Sequence, residues 1–308
     1  MIAEPMPASI QLAEGTPPRT GKPLIPRRMR KNELVKPGVS GWIMLTVLII
    51  AVLAWIFPLW LTVVNAFKTA PDLLENGPVS VPTTITFANI TDFWTQVNFS
   101  QKLWNSIQIS GWTALLAIVL SFLTAYAIGI GRIKFRMWVL GLFMIAFTIP
   151  QEALIYPIYV MAKSVGLYDN IWSVIIFFAV TQSAFGAYML SSVLSEFPME
   201  ILEAARIDGA GTLRLLWSVV LPIVRPTLLM LATFFFIWTW NEFLLPLVLL
   251  PSNANQTVAL SLGATSGQYT SDPVSKAAAA LLGLLPSLIF FFIFQRTLLR
   301  GVTMGAVK

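Results

Sequence analysis

A chain of 308 residues with 56% hydrophobic and only 11% charged side chains is too apolar for a soluble domain, which carries about 25% charged residues. Its mean hydropathy of +0.76 indicates a membrane protein. The absence of Cys and His excludes disulfides, thiolate or imidazole metal sites, and Cys- or His-based catalysis. The net charge of +6 does not indicate nucleic-acid binding, because the basic residues lie beside apolar segments, as membrane topology requires.

The N-terminal 40 residues are rich in Pro, Ala and Arg and lack apolar periodicity. We interpret residues 1–40 as a mostly disordered basic tail. The first hydrophobic run begins near Gly41 and is too long for the apolar core of a signal peptide. The predicted organisation is therefore a cytosolic tail, 1–40, followed by a transmembrane domain, 41–308.

Six apolar stretches are long enough to cross a hydrocarbon core, which takes roughly 20 helical residues. Their hydrophobicity is continuous rather than alternating, which favours helices over barrel strands. Pro58, Pro150, Pro157 and Pro246 lie in or near these stretches and predict kinks or breaks. The sequence predicts an all-α membrane protein with six transmembrane helices, at approximately residues 42–66, 104–131, 137–160, 171–194, 223–250 and 277–299.

The distribution of Lys and Arg predicts the orientation of these spans. With a cytosolic N-terminus, the tail, the Gly131–Arg136 turn, the loop 195–222 and the C-terminal end all lie inside, and they hold most of the basic residues. The positive-inside rule therefore predicts that both termini are cytosolic. The loops near 67–103, 161–170 and 251–276 are then outside.

The predicted cytosolic loop 195–222 has the features of a short exposed helix. Pro198 suits a first helical turn, and the acidic residues after it favour the positive end of the helix dipole. Gly209 permits the turn that ends such a helix. We expect a helix of about 10 residues and then a second short helix capped by Thr212. From these features alone, an ordinary interfacial helix explains the loop equally well.

Within this loop, Glu203-Ala204-Ala205 is followed by Gly209 after three further residues, by Val219 after nine more, and by Leu221-Pro222. This order of residues resembles the EAA loop of ABC importer permeases. Similar matches along the chain are Asn65-Ala66-Phe67-Lys68, Ile149-Pro150 with Pro157, Gly166-Leu167, Trp240-Asn241-Glu242-Phe243 and the tail from Gln295 to Lys308. The tail looks like the ending of the smaller permeases of maltose-type sugar importers. Only the first 40 residues have no counterpart.

The resemblance implies a type I ABC importer permease-like fold in a bacterial-type plasma (inner) membrane. The chain is then half of a pore for di- or oligosaccharides and is not itself an enzyme. Implied partners are a second permease subunit, two ATPase subunits and an extracytoplasmic sugar-binding protein. ATP and Mg belong to the ATPase, because this chain has no Walker A pattern, and no cofactor or metal is expected in the chain itself.

The resemblance also makes the loop 195–222 the coupling loop that docks in a cleft of the ATPase. The residues implied in coupling are Glu203, Ala204, Ala205, Arg206, Asp208 and Gly209. For Arg206 another role stays open, because an i,i+3 pair with Glu203 stabilises a helix by a few tenths of a kcal/mol.

A second candidate region lies near the end of the predicted fifth span. Ionisable residues inside spans are costly and usually face a cavity or a partner; Glu152 and Glu242 qualify. Aromatic faces bind the C–H surfaces of sugars, and amides and carboxylates bind their hydroxyls. The predicted substrate pathway is therefore Trp238, Trp240, Asn241 and Glu242. Enrichment of Trp at membrane interfaces, or a bond from Glu242 to a neighbouring helix, also explains this segment.

Other functions remain open at this stage. An importer of this class can carry glycerol phosphate, a polyol or another solute, but a phosphate favours Arg or Lys in the pathway. No basic residue lies centrally in a predicted span, which favours a neutral sugar. A secondary transporter or channel is less well supported, because ionisable relays are sparse and inverted repeats are not evident. An intramembrane enzyme lacks a convergent carboxylate pair.

Overall fold

The computed structural model describes residues 39–131, 133–264 and 272–306, which are helix or loop throughout. The predicted tail lies outside these residues, apart from its last two positions, which begin the first helix. The chain divides into two units after Ala54. The described part of the first unit is a single stretch of helix with exposed apolar side chains.

The second unit begins at Trp55 and holds most of the helices. From the N-terminus of the described chain, the α-helices are α1 (Val39–Ala66), α2 (Ala70–Asn76), α3 (Ala88–Gln96), α4 (Phe99–Gly129), α5 (Arg136–Thr148), α6 (Gln151–Ser164), α7 (Ile171–Ser195), α8 (Met199–Ile207), α9 (Thr212–Arg214), α10 (Leu221–Trp240), α11 (Leu244–Leu249), α12 (Val258–Ala264) and α13 (Pro273–Ala306). A π-helical segment, Leu215–Val220, joins α9 to α10, and a 3-10 turn, Asn253–Asn255, precedes α12.

Five continuous helices of the described chain are long and apolar enough to cross a membrane. They are Val39–Ala66, Phe99–Gly129, Ile171–Ser195, Thr212–Trp240 and Pro273–Gln295. A sixth crossing results if the bent pair α5 and α6 forms one span. The all-helical class is therefore confirmed, with five of the six predicted spans as single helices.

The predicted third span, 137–160, is not one kinked helix. Its two halves, α5 and α6, meet at 91°. Ile149 leaves the helical conformation, with ψ at 123°, and Pro150 has no N–H with which to continue the helical ladder. The proline therefore breaks this segment instead of bending it.

The predicted fifth span, 223–250, is wrong at both ends, because the helix begins at Thr212 and ends at Trp240. The amide Nδ2 of Asn241 donates to the carbonyl of Ile237 at 2.8 Å. The carboxylate of Glu242 accepts from the N–H of Leu244 at 3.2 Å. Side chains that bond the local backbone compete with the helical ladder, so the helix ends here and α11 starts again at Leu244.

The expected second short helix, capped by Thr212, is not a separate helix. Its N-cap residue is Gly211, and α9 continues through the π-helical segment into α10 without a break. The N–H of Leu221 donates to the carbonyl of Leu216, five residues earlier. Pro222 has no N–H for the carbonyl four residues before it, so a regular α-helical ladder is interrupted at this point. A wider π turn is one way in which a helix accommodates such an interruption.

One hydrophobic core joins α4, α7, α8 and α10. Close approach of α4 and α7 depends on small residues: a Cβ on Gly129 would lie 2.8 Å from Cβ of Leu194, and one on Gly186 would lie 2.2 Å from Oγ of Ser121. The core also holds Leu202 of α8. Its other buried members include Leu190, Leu215, Leu216, Val220, Val224, Leu228, Leu231 and Phe235.

At the other end of α4, polar side chains hold the segment between α11 and α12. Lys102, which is 1% exposed, donates from Nζ to the backbone and side-chain oxygens of Asn253. Asn105 donates from Nδ2 to the carbonyls of Ala254 at 2.7 Å and Gln256 at 2.9 Å. The segment is thus fixed without regular secondary structure over most of its length.

Asp169, in the loop between α6 and α7, holds the same segment from another side. Its Oδ1 accepts from the N–H of Ser252 at 3.2 Å, the hydroxyl of Ser252 at 2.9 Å and Nδ2 of Asn255 at 3.2 Å. Burial raises the pKa of Asp169, but these hydrogen bonds outweigh it and hold the pKa below its usual range. The ionised carboxylate is therefore the form that stabilises this contact.

Candidate functional site

The predicted coupling helix is present as α8, nine residues long. Pro198 stands at its N-cap, and Asp208 at its C-cap. The N–H of Gly209 donates to the carbonyl of Arg206 at 3.0 Å, and the N–H of Ala210 donates to the carbonyl of Ala205 at 2.9 Å. This pair of bonds is a Schellman motif, and Gly209 adopts its left-handed conformation, with φ of +79°.

The two faces of α8 differ in what they contact. Leu202 is only 1% exposed and lies in the core, and Ala205 packs against that core. The remaining residues of the predicted coupling set, Glu203, Ala204, Arg206, Asp208 and Gly209, are exposed. Ile207, among them in sequence, is 86% exposed. One face of α8 is therefore fixed to the helix bundle, while the other is open to a partner.

A cavity of about 500 Å³ lies among α5, α6, α7 and α10, within the second unit. Its wall combines apolar and aromatic side chains with a few polar groups, the pattern of small-molecule sites. The lining residues are Ala146, Phe147, Thr148, Ile149, Pro150, Gln151, Leu154, Phe177, Phe178, Thr181, Gln182, Ile237, Trp238, Asn241 and Glu242.

Both helix breaks line this cavity: the one at Ile149–Pro150 and the one that begins at Asn241. Irregular backbone at membrane depth is tolerated where it faces protein or a cavity. Nε2 of Gln151, the first residue of α6, donates to Oε2 of Glu242 at 2.9 Å and so connects the two breaks. The carboxylate of Glu242 thus has both of its oxygens hydrogen-bonded, the other one by Leu244.

Trp238 belongs to the aromatic part of the wall, together with Phe147, Phe177 and Phe178. Its ring contacts Phe147, Phe185 and Phe234, at centroid distances of 6.2, 5.4 and 5.9 Å. The ring remains 39% exposed. Packed aromatic neighbours fix its orientation, and its free surface is available to an apolar or C–H surface of a solute.

Gln182 lines the cavity from α7, in the polar triplet Thr181-Gln182-Ser183 near the middle of the span. Its side chain is 6% exposed, and Nε2 donates to Oγ1 of Thr239 at 3.0 Å. Its Oε1 is buried and has no hydrogen-bond partner.

Three of the four predicted pathway residues meet at this cavity: Trp238, Asn241 and Glu242. Trp240 does not line it. Its ring is 5% exposed and packs on Phe236 and Phe290, at 5.9 and 5.1 Å. Two residues apart on a helix are about 200° apart around the axis, so Trp238 and Trp240 face different sides.

Sequence reasoning missed both glutamines of the cavity, Gln151 and Gln182, and also Thr148 and Thr181. Each glutamine carried a usable signal, since Gln151 directly follows a span-breaking proline and Gln182 is the amide of a polar triplet, Thr181-Gln182-Ser183, inside a predicted span. Glu152, which the sequence singled out, is exposed in the first turn of α6 and does not line the cavity. Part of the loop 251–276 lies outside the described residues. Among those described, no group of three acidic side chains is placed to hold a metal ion.

Comparison with known proteins gives consistent matches. Residues 117–304 match the family described as binding-protein-dependent transport system inner membrane component. The chain is 31% identical to the trehalose transport system permease protein SugB of Mycobacterium tuberculosis, over 88% of this chain and 94% of that protein. It is 28% identical to the lactose transport system permease protein LacG of Rhizobium radiobacter, over 85% of this chain and 94% of that protein.

The fold is shared with a chain of the crystal structure of a bacterial ABC transporter involved in the import of the acidic polysaccharide alginate. The TM-score is 0.73, and the match covers 84% of this chain and 96% of that chain. Sequence identity is 21%, so this likeness concerns the fold.

Proposed function

Because this chain belongs to the family of binding-protein-dependent transport system inner membrane components, we propose that it is the permease subunit of an ATP-driven importer of di- or oligosaccharides. It is an inner-membrane protein. The complete importer comprises a second permease, two ATPase subunits that bind ATP and Mg, and an extracytoplasmic sugar-binding protein. In this proposal α5 and α6 form one span, so that six spans leave both termini and α8 in the cytosol.

The observation that carries the proposal is the two-faced environment of α8. Glu203, Arg206 and Gly209 are exposed at one end of the bundle, whereas Leu202 lies in the core that also contains Phe235 of α10. A close-packed core transmits displacement, because it has few voids into which side chains can relax. Movement of a docked ATPase is thus passed through α8 to α10, which carries Trp238 at the cavity.

The charge of the cavity favours a neutral solute over a phosphate. Among the lining residues of the described chain, Glu242 is the one charged side chain, and there is no Lys or Arg. A phosphate would be repelled by this carboxylate and would find no cationic partner. The sugars for which SugB and LacG are named, trehalose and lactose, are neutral disaccharides. Aromatic and amide groups in the cavity wall suit such a solute.

A charge reversal on α8 tests the coupling role. In the full transporter, Glu203→Lys should abolish sugar uptake and lower the amount of ATPase that co-purifies with the permease. Glu200→Lys makes the same charge change one turn earlier on α8, at another exposed residue, and should have a much smaller effect. Equal uptake in the Glu203→Lys variant and the wild type would sink the coupling role.

A transport assay on the isolated chain tests the alternative class. We expect no sugar uptake into liposomes that contain this chain alone, with or without a proton gradient. Uptake should require the second permease, the ATPase and ATP. Gradient-driven uptake by the single chain would instead identify a secondary transporter.

A further inference from the structure

We propose that Gln182 is a solute-contacting residue whose amide hydrogen-bonds a hydroxyl of the transported sugar, because the residue lines the cavity and its buried Oε1 has no hydrogen-bond partner in the protein. The proposal rests on the proposed function of this cavity as the solute pathway. It adds a residue of α7 to a site that the sequence located on α10 alone.

The hydrogen bonding of Gln182 is half complete. Nε2 donates to Oγ1 of Thr239, and Oε1 has no partner although the side chain is only 6% exposed. Nearly all buried polar side-chain atoms in folded proteins have a partner, so an exception calls for a specific reason. Exchanging the oxygen and nitrogen positions of the Gln182 amide still leaves one buried atom without a partner. Thr239 would then donate to Oε1, and Nε2 would lack an acceptor.

The position of Gln182 narrows the identity of the missing partner. The side chain lies on a cavity whose other polar groups are largely committed: Gln151 is bonded to Glu242, and Glu242 also accepts from Leu244. Aromatic rings, including Phe178 and Trp238, form much of the remaining wall. Oε1 of Gln182 is therefore a neutral acceptor without a protein partner, in a residue beside an aromatic surface. This combination suits a sugar, with C–H faces against the rings and one hydroxyl on the amide.

Oε1 has almost no accessible surface in this conformation. We therefore expect contact with solute only after α7 and α10 have shifted relative to each other. Thr239 lies on α10 and holds the amide from that side, so a shift of α10 changes the orientation of the amide. The hydrogen bond is expected in the solute-occupied state of the transport cycle.

Substitution in the complete transporter tests the proposal. This chain and its partner subunits would be reconstituted in proteoliposomes, and uptake would be measured for trehalose, lactose and maltose and for the monodeoxy analogues of the best-transported sugar. Gln182→Met preserves length but removes the amide. We expect it to raise the KM for uptake about tenfold, the factor for one neutral hydrogen bond near 1.4 kcal/mol, and to change kcat little.

The deoxy analogues separate a direct contact from a structural role, because a structural role of Gln182 would not change the discrimination between a sugar and its deoxy analogue. Wild-type transporter should discriminate against the analogue that lacks the bonded hydroxyl, and Gln182→Met should lose that discrimination at the same position only. Gln108→Met, the same substitution at a partly buried residue of α4 outside the cavity lining, should behave like wild type. Thr239→Val should raise KM in the same direction by a smaller factor, because the amide loses its orienting partner.

Three outcomes are distinguishable. If wild-type transporter imports none of the sugars, the proposed function fails and this inference fails with it. If wild type imports sugar and Gln182→Met keeps the wild-type KM and discrimination, only the role of Gln182 is overturned. If Gln182→Met does not assemble with its partners, the Thr239→Val variant decides, and an unchanged KM and discrimination there would also overturn the proposal.

Discussion

Replacing Gly209 by alanine isolates the left-handed turn that ends α8. The residue has φ of +79°, and a Cβ built there meets no atom within 4 Å, so strain in the backbone is the sole direct cost. An L-residue in this conformation costs about 1–2 kcal/mol. Since 1.4 kcal/mol corresponds to a factor of ten, the Schellman-capped end of α8 should be about tenfold less populated relative to the frayed end.

Gly211 provides a matched control two residues further on. Its φ is −70°, which any L-residue adopts, and a Cβ there also meets nothing within 4 Å. Gly211→Ala should therefore be neutral or slightly stabilising, through lower entropy of the unfolded chain. Gly209→Asn should fall between wild type and Gly209→Ala, because Asn tolerates positive φ better than Ala does.

Hydrogen exchange measures this effect directly. In the assembled transporter, the amides at positions 209 and 210 should lose about tenfold in protection in Gly209→Ala, because they donate the two bonds of the cap. The rate of sugar-stimulated ATP hydrolysis should fall in the same order: wild type, Gly209→Asn, Gly209→Ala. Equal protection in the Gly209→Ala and Gly211→Ala variants would refute the argument from the left-handed turn.

Three further changes test the packing and the loops. Gly186→Ala places a Cβ 2.2 Å from a neighbouring hydroxyl oxygen and should destabilise by about 1–3 kcal/mol in thermal unfolding, whereas Gly111→Ala, with open space, should not. The pKa of Asp169 is lowered in the folded chain, so its ionised carboxylate stabilises the fold above the usual Asp pKa of about 3.9. This stabilisation is lost as the pH falls through the lowered pKa of the folded chain. Amide hydrogen exchange at Ser252 should therefore rise at acid pH in the wild type, and already at neutral pH in Asp169→Asn. Pro222→Ala restores a backbone donor and should convert the π-helical segment to α-helix, which would increase amide protection there; unchanged exchange would contradict our explanation of that segment.

Helix α8 could be predicted from sequence because its determinants are local. Pro198 begins it and Gly209 ends it, and both act on the backbone within one helical turn. The exposed face is harder to predict, because Leu202 is 1% exposed whereas the equally apolar Ile207 is 86% exposed. That difference depends on the distant residues of α4, α7 and α10 in the core that holds Leu202.

The cavity was harder to predict because its geometry depends on distant pairs. Pro150 signals an interruption, but the 91° bend also depends on what α5 and α6 pack against. The end of α10 depends on Asn241 and Glu242 bonding backbone groups nearby, which leaves little trace in hydropathy. The role of Gln182 depends on Thr239, 57 residues later in the chain. Contacts at that separation are invisible to spacing rules.

Trp238 and Trp240 show how far helical periodicity can predict which side chains line the cavity. Trp238 and Trp240 are separated by about 200° around α10, so a single narrow cavity takes only one of them. Helical periodicity therefore argues against our prediction that both tryptophans line one pathway, but it does not decide which of the two does. The choice depends on Phe290 of α13, which packs against Trp240 and buries it on the side away from the cavity.

The positions of the helix breaks bear on the proposed coupling between α8 and the cavity. α10 is continuous from the π-helical segment to Trp240, with Pro226 inside it, and its 20 residues span about 30 Å. Under the proposed function, we expect a displacement at α8 to reach the cavity end through this helix. At the cavity the helix stops, and Glu242 is held to Gln151 of α6 by a side-chain bond rather than by helical packing. Such a bond can break and form again at low cost compared with a repacked core, so the motion should appear there first.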